Sequence, residues 1–102
     1  MGYRVFTTTE YDECLKAQPL KSAVQIEKRI FNIEMDDHFG TINDVGDDVW
    51  ELKWQNGRRV YYAYLQEPNI FLLLGGNKNG QKYDIKQAQK ILKEYTYNEI
   101  EV

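Results

Sequence analysis

From Tyr3 to Thr8 the chain is rich in aromatic and β-branched residues, the composition of a strand. Thr9 then offers a cap for a short helix to about Lys16, with Tyr11 and Leu15 four residues apart on one side. Pro19 stands where a second helix begins, a position where its missing N–H costs nothing. That helix carries a stripe of Ala23, Ile26, Ile30 and Ile33, with Leu20, Val24 and Phe31 beside it and Lys21, Gln25, Lys28 and Asn32 opposite. It is expected to end near Asp37 to Gly40. Three runs follow, Val49 to Gln55, Arg58 to Leu65 and Asn69 to Gly75, separated by turn signals at Gln55-Asn56-Gly57 and Glu67-Pro68-Asn69. Asp84, with Gln87 three residues on, has the form of a capping box opening a last helix with Ile85, Ala88, Ile91, Leu92 and Tyr95 on one side. The pattern predicts an α+β domain, β-α-α-β-β-β-α: an antiparallel sheet with an N-terminal helical hairpin packed on it and a C-terminal helix. One domain spans 1–102, and 96–102 is expected as a flexible tail.

The register of the first hairpin decides which side chains share a face. A two-residue Asn56-Gly57 loop pairs Gln55 with Arg58; a three-residue loop with Gly57 in the left-handed region pairs Trp54 with Arg58. Only the second gathers Trp50, Leu52, Trp54, Val60, Tyr62 and Tyr64 on one face and leaves Glu51, Lys53, Gln55, Arg59 and Tyr61 on the other. A one-residue slip reverses a strand, so burial selects the register that segregates them. The expected result is an apolar core face backed by a wet one carrying a carboxylate, a lysine, an arginine and a tyrosine.

At 102 residues, with 42% hydrophobic and 28% charged positions, the chain has room for one core. No apolar run approaches the ~20 residues of a membrane span. The N-terminus lacks the basic and apolar segments of a secretory signal, so the expected location is a cytoplasm without membrane association. A single cysteine, Cys14, rules out an internal disulfide and a cysteine metal cage. The net charge of −3 is unevenly spread: residues 34–51 hold seven acidic side chains and no Lys or Arg, whereas 52–93 hold eight basic against two acidic. A cationic unit inside an acidic envelope permits contact with an RNA backbone while holding non-specific binding down. A solvated lysine face explains Lys82, Lys86, Lys90 and Lys93 equally well.

Three motifs stand in order: Trp50-Glu51-Leu52-Lys53, Arg58-Arg59-Val60-Tyr61-Tyr62, and Gly75-Gly76-Asn77-Lys78 continuing through Gln81 to Asp84-Ile85. Together with the order of elements, they resemble the RelE/ParE superfamily of toxins, in the phage-derived, HigB-like branch of addiction-module killer proteins. Lys53 stands where an arginine is commoner, Arg58 where a tyrosine is, and the pI of about 5.1 is low for a protein working on ribosomes. The resemblance implies the toxin of a type II toxin-antitoxin pair: an mRNA endoribonuclease (mRNA interferase), a hydrolase with neither metal nor cofactor, bound to a cognate antitoxin and to the ribosome. The alternatives within the same fold are a ParE-like inhibitor of DNA gyrase and an interaction protein without catalysis. Cleavage of RNA at its own 2′-hydroxyl requires a base, cations around the phosphate and an acid for the leaving oxygen. With only His38 available, a pair of histidines cannot supply them.

The catalytic candidates are Arg59, Lys53, Glu51 and Lys78. Arg59 offers a planar fork for a phosphate, or a salt bridge to Glu51. Lys53 is a phosphate contact or the neutralising partner of Glu51. Glu51 is a base or that partner, and Lys78 a second cation, a proton donor or a solvated loop lysine. Gln81, Tyr83, Arg58 and Lys82 are candidate RNA contacts, since RNA is read largely through bases unstacked onto aromatic rings. Asp84 is taken as a helix cap. Trp50, Trp54, Tyr62 and Tyr64 are taken as core.

Overall fold

The computed structural model describes residues 2–101, with side chains described through 96. The element order is β1 (Arg4–Thr7), α1 (Thr9–Lys16), α2 (Leu20–Asp36), β2 (Ile42–Gly46), β3 (Val49–Lys53), β4 (Arg58–Tyr64), β5 (Asn69–Asn77), a 3-10 turn at Lys78–Gly80 and α3 (Gln81–Glu101). The strands form one sheet in the order β1-β5-β4-β3-β2. The helical hairpin α1-α2 packs on one face and α3 on the other, so the sheet is the middle layer of three.

The α+β class, the helical hairpin and the C-terminal helix are as expected, but the sheet differs in two ways. First, β1 lies parallel to β5, with Arg4 beside Asn69 and Thr7 beside Leu72, so the sheet is mixed rather than antiparallel throughout. The two helices between β1 and the rest provide the crossover that parallel pairing requires. Second, the acidic stretch contains an additional strand. β2 pairs antiparallel with β3 through a tight turn whose residues Asp47 and Asp48 both have positive φ, 53° and 66°. Two such residues define the mirror-image turn that suits the twist of a hairpin, and aspartate tolerates it. β2 is exposed along nearly all its length, so it lacks the apolar alternation that marks a strand in sequence.

Boundaries shift for identifiable reasons. Thr8 rather than Thr9 caps α1: its hydroxyl accepts from the Tyr11 N–H at 2.9 Å and donates to the Leu73 carbonyl at 2.7 Å, tying the helix start to β5. α2 buries Ile26, Ile30 and Ile33 and leaves Leu20, Val24 and Phe31 exposed. It stops at Asp37, which turns left-handed at φ 56°. Arg29 then secures the chain beyond the helix. Its guanidinium donates to the carbonyls of Phe39 (2.8 Å), Thr41 (2.6 Å) and Lys53, and stacks 4.3 Å over the Trp54 ring. α3 starts at Gln81, one turn before Asp84, so Asp84 is not the cap. Tyr95, placed with Ile91 and Leu92 on the inner side of this helix, lies within α3, packs edge-on against Phe71 and donates to Glu10. The side chains of 97–102, which make up most of the expected tail, lie outside the described residues.

The core has two parts. Tyr11, Ile26, Ile30, Ile33, Leu52, Val60, Tyr62, Ile70 and Leu72 pack between the helical hairpin and the sheet, with Trp50 and Trp54 against them. Val49, Tyr61, Ala63, Leu73, Ala88 and Ile91 pack under α3. A bulge in β5 at Leu73 lets both Leu73 and Leu74 serve the α3 side.

Candidate active site

The β3-β4 hairpin has the register that separates its side chains. Trp50 faces Tyr62, Glu51 faces Tyr61, Leu52 faces Val60 and Lys53 faces Arg59. The loop closes with the Trp54 N–H donating to the Arg58 carbonyl at 3.1 Å and the Gly57 N–H to the Trp54 carbonyl at 3.1 Å. Gly57 has φ 94°, a value that glycine adopts without strain. The tryptophans accordingly sit on the helical-hairpin side, and Glu51, Lys53, Arg59 and Tyr61 on the other. The guanidinium of Arg59 and the amine of Lys53 project from the same face, away from the indoles.

That face is not wet. α3 covers most of it, and Glu51 and Tyr61 are 0% exposed and Arg59 only 8%. The sequence pattern identified the more polar face correctly, but could not show that a helix would lie across it. Beneath the helix start, Glu51 Oε2 accepts a hydrogen bond from Gln81 Nε2 at 2.7 Å and lies 3.8 Å from Arg59 Nε. Arg59 Nη1 donates to the carbonyls of Arg58 (2.8 Å) and Trp54 (3.1 Å) at the hairpin end. Burial, and after it the neighbouring Glu51 carboxylate, push the Tyr61 hydroxyl well above the usual tyrosine range. Three buried polar atoms of this cluster lack a hydrogen-bond partner: Glu51 Oε1, Arg59 Nε and the Tyr61 hydroxyl oxygen. Such groups each carry a desolvation cost and gather where a protein keeps polar chemistry ready.

Across the strands the register extends the pair into a row. Lys53 faces Arg59 on β4, and Arg59 faces Gly76 on β5. Gly76 has no side chain to contribute, and the carboxylate of Asp84 on α3 fills its place. A Cβ built on Gly76 would come within 2.3 Å of Asp84 Oδ2, and one on Gly80 within 3.1 Å. Gly75, one residue earlier, faces the other side, where a Cβ would meet Cys14 at an ordinary 3.5 Å. The row therefore reads lysine, arginine, aspartate, with Glu51 and Tyr61 in the row below. Desolvation holds the Asp84 carboxyl above the usual carboxylate range. Lys78 stands at the same end of the sheet: its N–H donates to the Gly57 carbonyl at 2.7 Å, its alkyl chain lies over the Gly57 turn, and it is exposed.

The remaining candidates divide. Gln81 points down at Glu51 rather than outward. Tyr83, 64% exposed, and Lys82 lie on the open surface of the first turns of α3. Arg58 departs to the opposite face, where it donates to Gln18 and Ser22 at 2.8 Å each and fastens the α1-α2 corner to the sheet. In the sequence Asp84 reads only as a helix cap, because its type and position suit a helix start. The feature that sets it apart is the pair of glycines its carboxylate packs over, Gly76 and Gly80. A groove of about 620 Å³, lined by Phe6, Leu65, Gln66, Asn69, Phe71 and Tyr95, opens at the other end of the sheet and has no cation.

Residues 13–96 match the family described as phage derived protein Gp49-like. An uncharacterised protein of Haemophilus influenzae is 35% identical over 98 residues, spanning 92% of this chain and 97% of its own length. Among solved structures, a mutant of the E. coli toxin RelE in the free state superposes with a TM-score of 0.70 at 15% identity, covering 89% of this chain and 99% of its own. The RelBE2 toxin-antitoxin complex of Mycobacterium tuberculosis gives 0.62 at 15% identity, covering 76% and 99%. The intact E. coli RelBE complex gives 0.60 at 14% identity, covering 74% and 96%.

Proposed function

Since this chain belongs to the phage-derived Gp49-like family, within the RelE/ParE superfamily, we propose that it is the toxin of a type II toxin-antitoxin pair and cleaves mRNA on the ribosome. The observation that carries this reading is the row at the hairpin end. Two cations, Lys53 and Arg59, project side by side over a buried carboxylate, with Lys78 at the same end of the sheet. In the proposed reaction the three cations gather around the scissile phosphate, and the charge that grows on its oxygens is met by groups already in place. Glu51 does not touch RNA. Fully buried and held by Gln81, it fixes the guanidinium of Arg59 in position. Tyr83 and Lys82 offer a base-stacking ring and a backbone contact on the adjoining surface.

The partner is proposed to be an antitoxin whose helical segment covers the groove lined by Phe6, Phe71 and Tyr95, or the outer surface of α3. Hydrogen exchange on the purified pair should show protection there; protection confined to the outer side of α2 would refute the placement. The second reading, a gyrase inhibitor or an interaction protein of the same fold, is favoured by the 8% exposure of Arg59.

Primer extension on cellular mRNA after induction separates the readings. New 5′ ends within translated messages are expected for the wild type, and Arg59→Ala should lower cleavage by about 10²–10³-fold, the usual effect of removing one transition-state donor. Unchanged growth arrest with Arg59→Ala would overturn the catalytic assignment. Growth arrest accompanied by DNA breaks, without mRNA cleavage, would transfer the case to gyrase.

A further inference from the structure

The cleavage reaction requires a base, and Glu51, the only other carboxylate in the two rows, is sealed under α3 with Oε2 engaged by Gln81. Asp84 differs in each respect. It is only partly buried, and among the described residues no hydrogen bond or ion pair reaches its carboxylate. It occupies the space over Gly76, the β5 residue paired with Arg59, the proposed phosphate ligand. Two glycines keep that space open, and a methyl group at either would crowd it. Building on the endoribonuclease reading, we propose that Asp84 accepts the 2′-hydroxyl proton in the cleavage step and is a catalytic residue of this chain.

The step balances as follows. The 2′-O–H bond breaks, its proton goes to an Asp84 oxygen, and the 2′-oxygen bonds to phosphorus. The bond from phosphorus to the 5′-oxygen breaks, and that oxygen leaves with a proton from the Lys78 ammonium. The products are a 2′,3′-cyclic phosphate and a 5′-hydroxyl. Solvent then returns the proton on Asp84 to bulk and recharges Lys78. The groups on the sheet face under Asp84 are Glu51 and Lys53 from β3 and Arg59 and Tyr61 from β4, with Lys78 at the turn. Burial alone raises its titration in the free protein. A base works only when deprotonated, so the rate rises with pH through the titration of Asp84, and a raised pKa places that rise at a higher pH than an exposed aspartate would.

The test uses purified wild-type chain, a defined mRNA on translating ribosomes, and single-turnover cleavage rates from pH 5 to pH 9. Asp84→Asn is expected to cost about 10²–10⁴-fold and to remove the acid limb, with thermal unfolding unchanged. Gly76→Ala, which puts a methyl group where the carboxylate sits, should also lower the rate while leaving Asp84 in the sequence. A wild type that cleaves nothing refutes the endoribonuclease reading itself. A wild type that cleaves, with an Asp84→Asn variant that keeps the acid limb or loses less than tenfold, refutes the role of Asp84 alone. An intact Gly76→Ala rate would also overturn it, because the carboxylate would then act from no fixed place.

Discussion

The two faces of the sheet solve the same packing problem with different materials. Toward the helical hairpin, Ile26, Ile30, Ile33, Leu52, Val60, Ile70 and Leu72 interdigitate with Tyr11 and Tyr62, and Arg58, whose buried Nε lacks a partner, joins them only at the α1-α2 corner. Toward α3, the apolar set of Val49, Ala63, Leu73, Ala88 and Ile91 shares the layer with Glu51, Arg59 and Tyr61, and polar atoms of all three lack partners. The first face contributes stability through area removed from water. The second gives up part of that gain to hold charges under a helix. A fold of this size has little stability to spare, so the division assigns holding the domain together to one face and the proposed chemistry to the other.

Substitutions on each face can break this comparison. The largest stability effect should come from the dry side. Ile33 is fully buried between α2 and the sheet, and Ile33→Ala is expected to lower unfolding stability by about 2–5 kcal/mol in urea titrations. The protein that remains folded should keep its specific activity. On the polar side, Glu51→Gln keeps the volume but removes the charge beside a buried guanidinium. The expected loss is smaller, about 1–3 kcal/mol, and comes with a fall in activity. A stabilised Glu51→Gln protein with full activity would show that the polar cluster is neither structural nor functional, and the division would fail. The smallest effect belongs to the surface: Lys93→Ala breaks the 3.7 Å pair with Asp47, whose side chains are 73% and 57% exposed, and should change stability by about 0.5 kcal/mol or less.

Much of the fold could be read from residues alone, because local pattern and burial agree. Ile26, Ile30 and Ile33 mark the inner side of α2, and Trp50, Leu52 and Trp54 against Val60 and Tyr62 select the register of the hairpin. β2 escaped because Ile42–Gly46 gains its place only from pairing with β3, and an exposed edge strand needs no apolar alternation. The parallel seating of β1 is set by contacts distant in sequence, to which no local pattern refers. Lys53 and Arg59 were placed together correctly, since a register argument suffices for cross-strand neighbours. The burial of Glu51 and the placement of Asp84 were beyond it. Both depend on where a helix from the far end of the motif comes to rest, and a period of two along β3 and β4 carries no information about the angle of α3.

The pairing of β1 with β5 bears on when the proposed site can form. Thr8 reaches the carbonyl of Leu73 across 65 positions, and Lys53, Arg59, Gly76 and Asp84 all fall beyond residue 51, with Glu51 at the midpoint. While a ribosome is still making it, the nascent polypeptide has neither a finished sheet nor a helix to lay over it, and contacts so distant form only late. A copy that still lacks β5 and α3 has neither the sheet nor the helix that bring Arg59 and Asp84 together, so the proposed site takes shape only once both have been made.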